Sequence, residues 1–257
     1  MKIMHTLSSQ LFSNHRQIVY TFTTRHGGVS KKPFDSNNLA FHVGDDPLDV
    51  IRNQELLAQR IGYDRTLLVH MRQIHSDRIV IVERALHDFE NPPECDALIT
   101  DQPGIPLMVM TADCTPVLLF DPAKNVIAVA HAGRAGAIKG IVPKTIQKMQ
   151  QNFASKLEDI LVVLGPSIQS CCYEVGKKIA QEVTDAGFGN AVIKREDRFY
   201  LEVNAIIKNQ LLRAGIKIEH IEDLDICNAC EHETFFSYRA DKQKTGRIAG
   251  VLMLKQL

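Results

Sequence analysis

The sequence predicts an α+β fold, a single domain over residues 1–257 with mixed β-sheets flanked by helices. Three observations lead there. Short apolar or β-branched runs outnumber the segments of helical period, and many of those runs follow one another directly. The four or so helical segments are scattered among them, where a doubly wound sheet would need regular alternation. The chain is long enough, at 257 residues, to bury a sizeable core.

Ile18–Thr23 is β-branched and aromatic and reads as a strand. It runs into Thr24-Arg25-His26-Gly27-Gly28-Val29-Ser30, a turn whose paired glycines permit positive φ or close approach to a ligand. Arg25, at the strand end, is a candidate anion contact. Asp46 as N-cap and Pro47 at the first helical position start a helix that runs to about Arg60 and is closed by Gly62, with Val50, Ile51, Leu57 and Ile61 inward. Leu67–Val69 and Ile79–Val82 read as strands around the polar connection Arg72-Gln73-Ile74-His75-Ser76-Asp77. Glu90-Asn91-Pro92-Pro93-Glu94 is a loop, and Ala97–Thr100 and Leu107–Met110 are short strands. Val117–Phe120 and Val126–Ala130 form a hairpin around Asp121-Pro122-Ala123-Lys124-Asn125, with Cys114 entering the first run and His131 leaving the second. Pro143–Gln151 is helical by period and Ile160–Leu164 is a buried strand. Tyr173–Ala186 and Glu202–Arg213 read as helices, the latter closed by Gly215. Ile218–Ile221 is a short strand, and Ile248–Leu254 closes the chain.

Basic and acidic residues balance at 30 each, so no net field points to nucleic acid or an anionic membrane. The amino-terminal stretch lacks the apolar core and cleavage site of a signal peptide, and no apolar run reaches a membrane span. Six cysteines without a signal peptide are expected to stay reduced, which points to the cytoplasm. No P-loop, dinucleotide fingerprint or G-x-S-x-G elbow occurs.

Cys114 and His131, at matching ends of one hairpin, can meet as metal ligands or as a nucleophile and its base. His75 is the most economical third ligand. A thiolate with two imidazoles suits a catalytic zinc that keeps one open position, and would also admit copper. Against these stand plainer roles: a buried cysteine acting as a small hydrophobe, a core histidine satisfied by backbone, and a surface histidine. Cys227-x-x-Cys230, with His232 close by, is a rival metal or redox motif. A structural zinc there needs two more ligands, which Cys171 and Cys172 can supply only by folding, and the thioredoxin-like setting of a redox pair is missing. Gly133-Arg134-Ala135-Gly136 reads as a loop entering a helix, where N–H groups and Arg134 could hold an anion.

Nine short motifs then occur in order: Thr24-Arg25-x-Gly27-Gly28-Val29-Ser30, Asn38-Leu39-x-x-His42-Val43-Gly44-Asp45-Asp46, Gln73-x-His75, Asp96-Ala97, Thr111-Ala112-Asp113-Cys114-x-Pro116-Val117, His131-Ala132-Gly133, Leu164-Gly165-Pro166-Ser167-Ile168, Cys172-Tyr173-Glu174-Val175-Gly176 and Phe235-Phe236-Ser237-Tyr238-Arg239. Together they resemble the YfiH-like family, also called laccase-domain or polyphenol-oxidase-like proteins, from about Ile18 to the C-terminus. The resemblance implies a mixed-sheet fold related to some cysteine hydrolases, and a zinc held by His75, Cys114 and His131. It also implies purine nucleoside phosphorylase activity on adenosine, inosine and methylthioadenosine, with adenosine deaminase activity besides. Asp113 is the candidate proton carrier. Arg25, Asn38, His42, Arg134 and Arg239 are the candidate contacts for nucleoside and phosphate. The family commonly reads H-A-G-W-[RK]-G, so Arg134 replaces the tryptophan and Ala135 the basic residue. A copper phenol oxidase is the first alternative, although none of the ten histidines forms an H-x-H pair. A cysteine hydrolase editing peptidoglycan precursors, with Cys114 as nucleophile and His131 as base, is the second. A non-enzymatic protein with a closed structural zinc, His42 or another cysteine as fourth ligand, is the third.

Overall fold

The computed structural model describes residues 4–84 and 91–256; of the expected loop at Glu90–Glu94, Glu90 lies outside them. The elements run β1 (Thr6–Leu7), α1 (Gln10–Ser13), β2 (Ile18–Thr23), α2 (Pro47–Ile61), β3 (Ile79–Ile81), β4 (Ala97–Thr100), β5 (Leu107–Thr111), β6 (Thr115–Asp121), β7 (Val126–Ala132), α3 (Arg134–Ile138) and α4 (Ile141–Phe153). They continue with β8 (Leu161–Leu164), β9 (Glu174–Val175), α5 (Lys177–Val183), β10 (Val192–Arg195), β11 (Arg198–Leu201), α6 (Val203–Ala214), β12 (Ile221–Asp223) and β13 (Ile248–Leu254). The fold is α+β with mixed sheets, as expected from the sequence. A six-stranded sheet has the order β12-β8-β6-β7-β4-β3, a four-stranded sheet β1-β2-β13-β5, and a small sheet β10-β11-β9.

The two large sheets stack face to face. Alternation along the strands decides which core each residue joins. Leu118, Phe120, Ile127 and Val129 of the central hairpin face Phe22, Leu107, Val109 and Leu252 of the other sheet. Val117, Leu119, Ala128 and Ala130 face the opposite way, onto Ile141, Ile146 and Met149 of α4 and Ile206, Ile207 and Leu211 of α6. With both faces covered, Val117–Phe120 of β6 and Val126–Ala130 of β7 are apolar without a break, and that is why they were legible as strands. The outer face of the four-stranded sheet, through Met108, Met110, Ala249 and Val251, packs on Leu57 of α2. Leu118 is fully buried between the sheets. Leu118→Ala is expected to lower the unfolding free energy by about 2–5 kcal/mol, read from urea titration, because the sheets cannot collapse into the gap.

The caps that defined α2 in the sequence act as expected: the Asp46 side chain accepts from the Leu48 N–H and Gly62 closes the helix at φ 81°. Its buried face differs from the expected one. Asn53 and Gln54 are fully buried, while Ile51 and Ile61 are half-buried. The two amides satisfy loop backbone, since Asn53 accepts from the Val29 N–H at 2.7 Å and Gln54 donates to the Leu39 carbonyl at 3.1 Å.

Three expected elements change. Leu67–Val69 is not a strand: Asp64 caps a 3-10 turn over Arg65–Leu67, and only Val69 bridges to Leu107. Ile218–His220 is likewise a 3-10 turn leading into β12. The helix expected over Tyr173–Ala186 begins later, at α5, because Glu174 and Val175 pair with Tyr200 and Phe199 and Gly176 starts the helix afresh; beyond Val183 it continues as a wider π turn over Thr184–Phe188. The β10–β11 hairpin escaped the sequence reading. Its turn is Glu196-Asp197, without the glycine that marks tight hairpins.

Candidate metal centre and active site

The chain passes from the four-stranded to the six-stranded sheet between β5 and β6, and Ala112-Asp113-Cys114 make that step. Asp113 takes φ 98°, unusual for a side-chain-bearing residue. Its carboxylate is tied down on both sides, accepting from Ser237 Oγ at 2.6 Å and from the Arg239 N–H at 2.7 Å. The turn aims Cys114 across the end of β7, where Pro116 pairs with His131.

Asp96, just before β4, organises the two histidines. It is fully buried. One oxygen meets His131 Nδ1 at 2.8 Å and accepts the His75 N–H at 3.1 Å. The other accepts the Ser76 N–H at 2.6 Å, the Ser76 hydroxyl at 2.7 Å and the Ile74 N–H at 3.3 Å. The loop therefore closes around the carboxylate and holds His75 at φ 56°. Burial alone would raise the Asp96 pKa, but the hydrogen bonds from His131 and Ser76 outweigh it and hold the carboxyl at about 2. With Nδ1 of His131 engaged, its Nε2 is left to face Cys114 and His75.

Cys114 Sγ lies 3.9 Å from His75 Nε2, and the donor atoms of His75, Cys114 and His131 all fall within 4.8 Å of one another. The two imidazole rings meet edge to face at 4.8 Å between centroids. Gly133 lies against the trio: a Cβ there would stand 2.7 Å from the Cys114 sulfur and 3.2 Å from His75 Cδ2. Burial alone would raise the Cys114 pKa, yet His131 and His75 bring it down to about 6. Burial would lower that of His131, but the Cys114 charge and Asp96 raise it to about 9. A thiolate and two converging imidazoles, with a glycine keeping the space beside them clear, fit a borderline-soft divalent ion.

The trio opens into a cavity of about 740 Å³, within the range of small-molecule sites of about 300–1,000 Å³. Of the residues expected at the site, His42, His75, Asp113, Cys114, His131, Arg134 and Arg239 all line it. Arg134 is paired with Glu182 through two contacts of 2.8 Å. Arg239 lies over the Tyr173 ring, 5.3 Å from its centroid, and donates to the Glu174 carbonyl at 3.0 Å. His42 stands near Arg247, and burial and that charge lower its pKa.

Two expected contacts do not reach the cavity wall. Arg25 lies between Asp241 at 3.5 Å and Asp35 at 3.8 Å, donates to the His232 carbonyl at 2.6 Å and stacks 4.6 Å from the Phe236 ring centroid. Its charge is used inside the fold. Asn38 is fully buried and accepts the Arg247 N–H at 3.0 Å, so it supports a lining residue from behind. Asp113 has a structural part as well: its two oxygens anchor the loop at 237–239, and burial raises its pKa.

The sequence reading assigned no role to Asp96, Gln73 or Arg247. The first two lay inside recognised motifs. Gln73 clamps the His75 loop to β5, donating to the Met110 carbonyl at 2.7 Å and accepting its N–H at 3.0 Å. Arg247 had only its place before β13 as a signal; it lines the cavity with Tyr238 and Lys242.

Fold and site together define an α+β protein with a three-donor metal-type centre at the seam of two stacked sheets, opening on a cation-lined cavity. The chain belongs to the YfiH-like family, whose model, described as multi-copper polyphenol oxidoreductase laccase, matches residues 19–255. It is 40% identical over 240 residues to a purine nucleoside phosphorylase of Corynebacterium glutamicum, covering 93% of this chain and 96% of that protein. It is 36% identical over 243 residues to one of Streptomyces coelicolor, covering 91% and 95%. Among solved structures it is similar to the hypothetical protein YfiH of Bacillus licheniformis, with a TM-score of 0.89, 33% identity and 94% of both chains covered. It is also similar to YlmD of Geobacillus stearothermophilus, with a TM-score of 0.87, 30% identity, and 96% of this chain and 94% of that one covered.

Proposed function

We propose that this chain is a zinc-dependent purine nucleoside phosphorylase, with residues 1–257 as one catalytic unit and adenosine, inosine and methylthioadenosine as substrates. The metal ligands in this reading are His75, Cys114 and His131. The observation that carries it is the character of the cavity wall beside the trio. Arg239, Lys242 and Arg247 line it, with Arg134 held by Glu182 at its edge, and among the described lining residues the one carboxylate is Asp113, whose oxygens both accept from the loop at 237–239. Such a wall suits an inorganic anion brought next to a neutral nucleoside. The relatives named as purine nucleoside phosphorylases supply the reaction class.

In the reaction, a phosphate oxygen bonds to C1′ of the ribose as the bond from C1′ to the purine nitrogen breaks. The electron pair leaves with the purine. Zinc held by His75, Cys114 and His131 would supply a Lewis acid. Arg247 and Lys242 hold phosphate through charge-assisted hydrogen bonds, with Arg239 beside them. Tyr173 and Tyr238 offer flat faces for the purine, and Ile168 and Val203 exclude water from it. Deamination of adenosine is a second activity in this reading, with Asp113, whose pKa burial raises, as the carboxylate that would move protons. The phenol-oxidase reading needs several coppers. Among the described residues, one cluster containing histidine has metal-site spacing, and it holds two histidines and a cysteine. The cytoplasm is the proposed compartment, in keeping with six unpaired cysteines; among the described residues no helix is long and apolar enough to cross a membrane.

The test is to incubate metal-analysed protein with each nucleoside, with and without phosphate, and to separate the products. Free purine and ribose 1-phosphate formed only with phosphate support the reading. Inosine from adenosine as the main product, regardless of phosphate, overturns it. Arg247→Gln is expected to raise the KM for phosphate roughly ten- to hundredfold, the loss of about 1.5–3 kcal/mol from one charged hydrogen-bond partner. The KM for nucleoside should change far less.

A further inference from the structure

Four cysteines take no part in the cavity wall, yet they converge. Cys230 Sγ lies 3.4 Å from Cys171 Sγ and 3.3 Å from Cys172 Sγ, and the four sulfurs of Cys171, Cys172, Cys227 and Cys230 all fall within 4.8 Å of one another. We propose that these four cysteines form a second metal site, which binds one tetrahedral zinc ion and ties the loop at 166–173 to the loop at 226–240.

The spacing is that of a single ion. Four Zn–S bonds of about 2.3 Å in a tetrahedron put the sulfurs about 3.8 Å apart, between the 3.3 Å contact and the 4.8 Å outer limit of the group. A cluster of several irons would spread its cysteines wider than this group allows. The backbone is arranged for it as well. Cys227-x-x-Cys230 forms a tight turn, in which the Glu231 N–H donates to the Cys227 carbonyl at 3.0 Å. The second pair comes from the turn at Gln169, where the Cys172 N–H donates to the Gln169 carbonyl at 2.9 Å. The two loops already run side by side: the Ser167 N–H donates to the Ile226 carbonyl at 3.1 Å, and the Asn228 N–H to the Ser167 carbonyl at 3.2 Å. His232 faces Asp241, 3.7 Å away, and is not among the clustered donors. Cys227 is buried while Cys171 and Cys230 are exposed, so an ion can reach the group from solvent.

The site has a purpose in the fold. Its two loops carry Ile168 and Tyr173, and Tyr238 and Arg239, into the cavity wall. The apolar packing between the two loops is small: Ile168, Cys227 and Ala229 form a buried cluster, with Cys172 and Tyr173 against it. A structural zinc adds the cross-link that so small a cluster lacks.

The test is metal analysis of the full chain, purified without chelator, as wild type and as Cys227→Ser/Cys230→Ser. The double variant is expected to bind one zinc per chain fewer than wild type, whatever the occupancy at His75, Cys114 and His131. A second measurement does not depend on that variant folding. Cys114→Ser, loaded with cobalt, should show the intense sulfur-to-metal charge-transfer bands of a tetrathiolate site. Equal zinc in wild type and folded double variant, absence of those bands, or non-reducing mass spectrometry finding these cysteines joined as disulfides in metal-replete protein would each overturn the proposal. None of these readouts requires phosphorylase activity, so a failure of the enzymatic reading is seen separately.

Discussion

Cys114→Ser is expected to reduce phosphorolysis by at least about a thousandfold, equivalent to about 4 kcal/mol of transition-state stabilisation, and to release metal from the cavity. The serine hydroxyl is nearly the same size and still reaches the donors. It stays protonated where the thiol, drawn down to about 6 by the two histidines, does not. The centre would keep two imidazoles and lose the anionic ligand that neutralises half the charge of a divalent ion. The same loss of activity would follow if Cys114 were a nucleophile with His131 as its base, so a second measurement is needed. Wild type treated with a strong chelator should lose activity and regain it with added zinc. Full activity in metal-free wild type, with Cys114→Ser inactive, would transfer Cys114 to the nucleophile reading and remove the metal from the mechanism.

The hairpin that bears Cys114 and His131 was legible because its strands are buried on both faces. Unbroken apolar runs have visible ends, and both candidate ligands lie just beyond those ends. Helix α2 was legible because its caps are local: Asp46, Pro47 and Gly62 act within one turn of the helix. Where pairing is decided at a distance, the sequence misleads. Glu174 and Val175 look helical until β11 is beside them. Arg25 looks like an anion contact at a strand end until Asp35 and Asp241, remote in the chain, close around it. Spacing could not select His75 from the other histidines, since its place is fixed by three backbone N–H groups converging on Asp96. The cysteine cluster has the same character: a C-x-x-C pair and an adjacent pair, far apart in sequence, become one group only through the parallel course of two loops.

Asp96→Asn is expected to weaken metal binding by about ten- to hundredfold, with a similar loss of activity, although Asp96 is not a ligand. A carboxylate accepts on both oxygens; an amide accepts on one side and donates on the other. If the oxygen of the substituted amide accepts from His131, its NH2 faces the N–H groups of Ile74 and Ser76, donor against donor. Flipped, it satisfies Ser76 and offers an N–H to His131 Nδ1, which fixes the tautomer that places the proton on Nε2 and removes the lone pair a metal needs. Either arrangement disturbs one of the two histidines of the proposed centre. Stability should follow. The Asp96 carboxyl is held at about 2 against an ordinary 3.8, so ionised Asp96 stabilises the fold by on the order of 2 kcal/mol above both values, and that contribution is lost as pH falls towards 2. Urea titration of metal-free protein should find Asp96→Asn weaker than wild type at neutral pH, with the gap narrowing in acid. Unchanged zinc affinity in the variant, measured by competition with a chromophoric chelator, would mean that His131 is oriented by packing alone and that Asp96 serves only the loop.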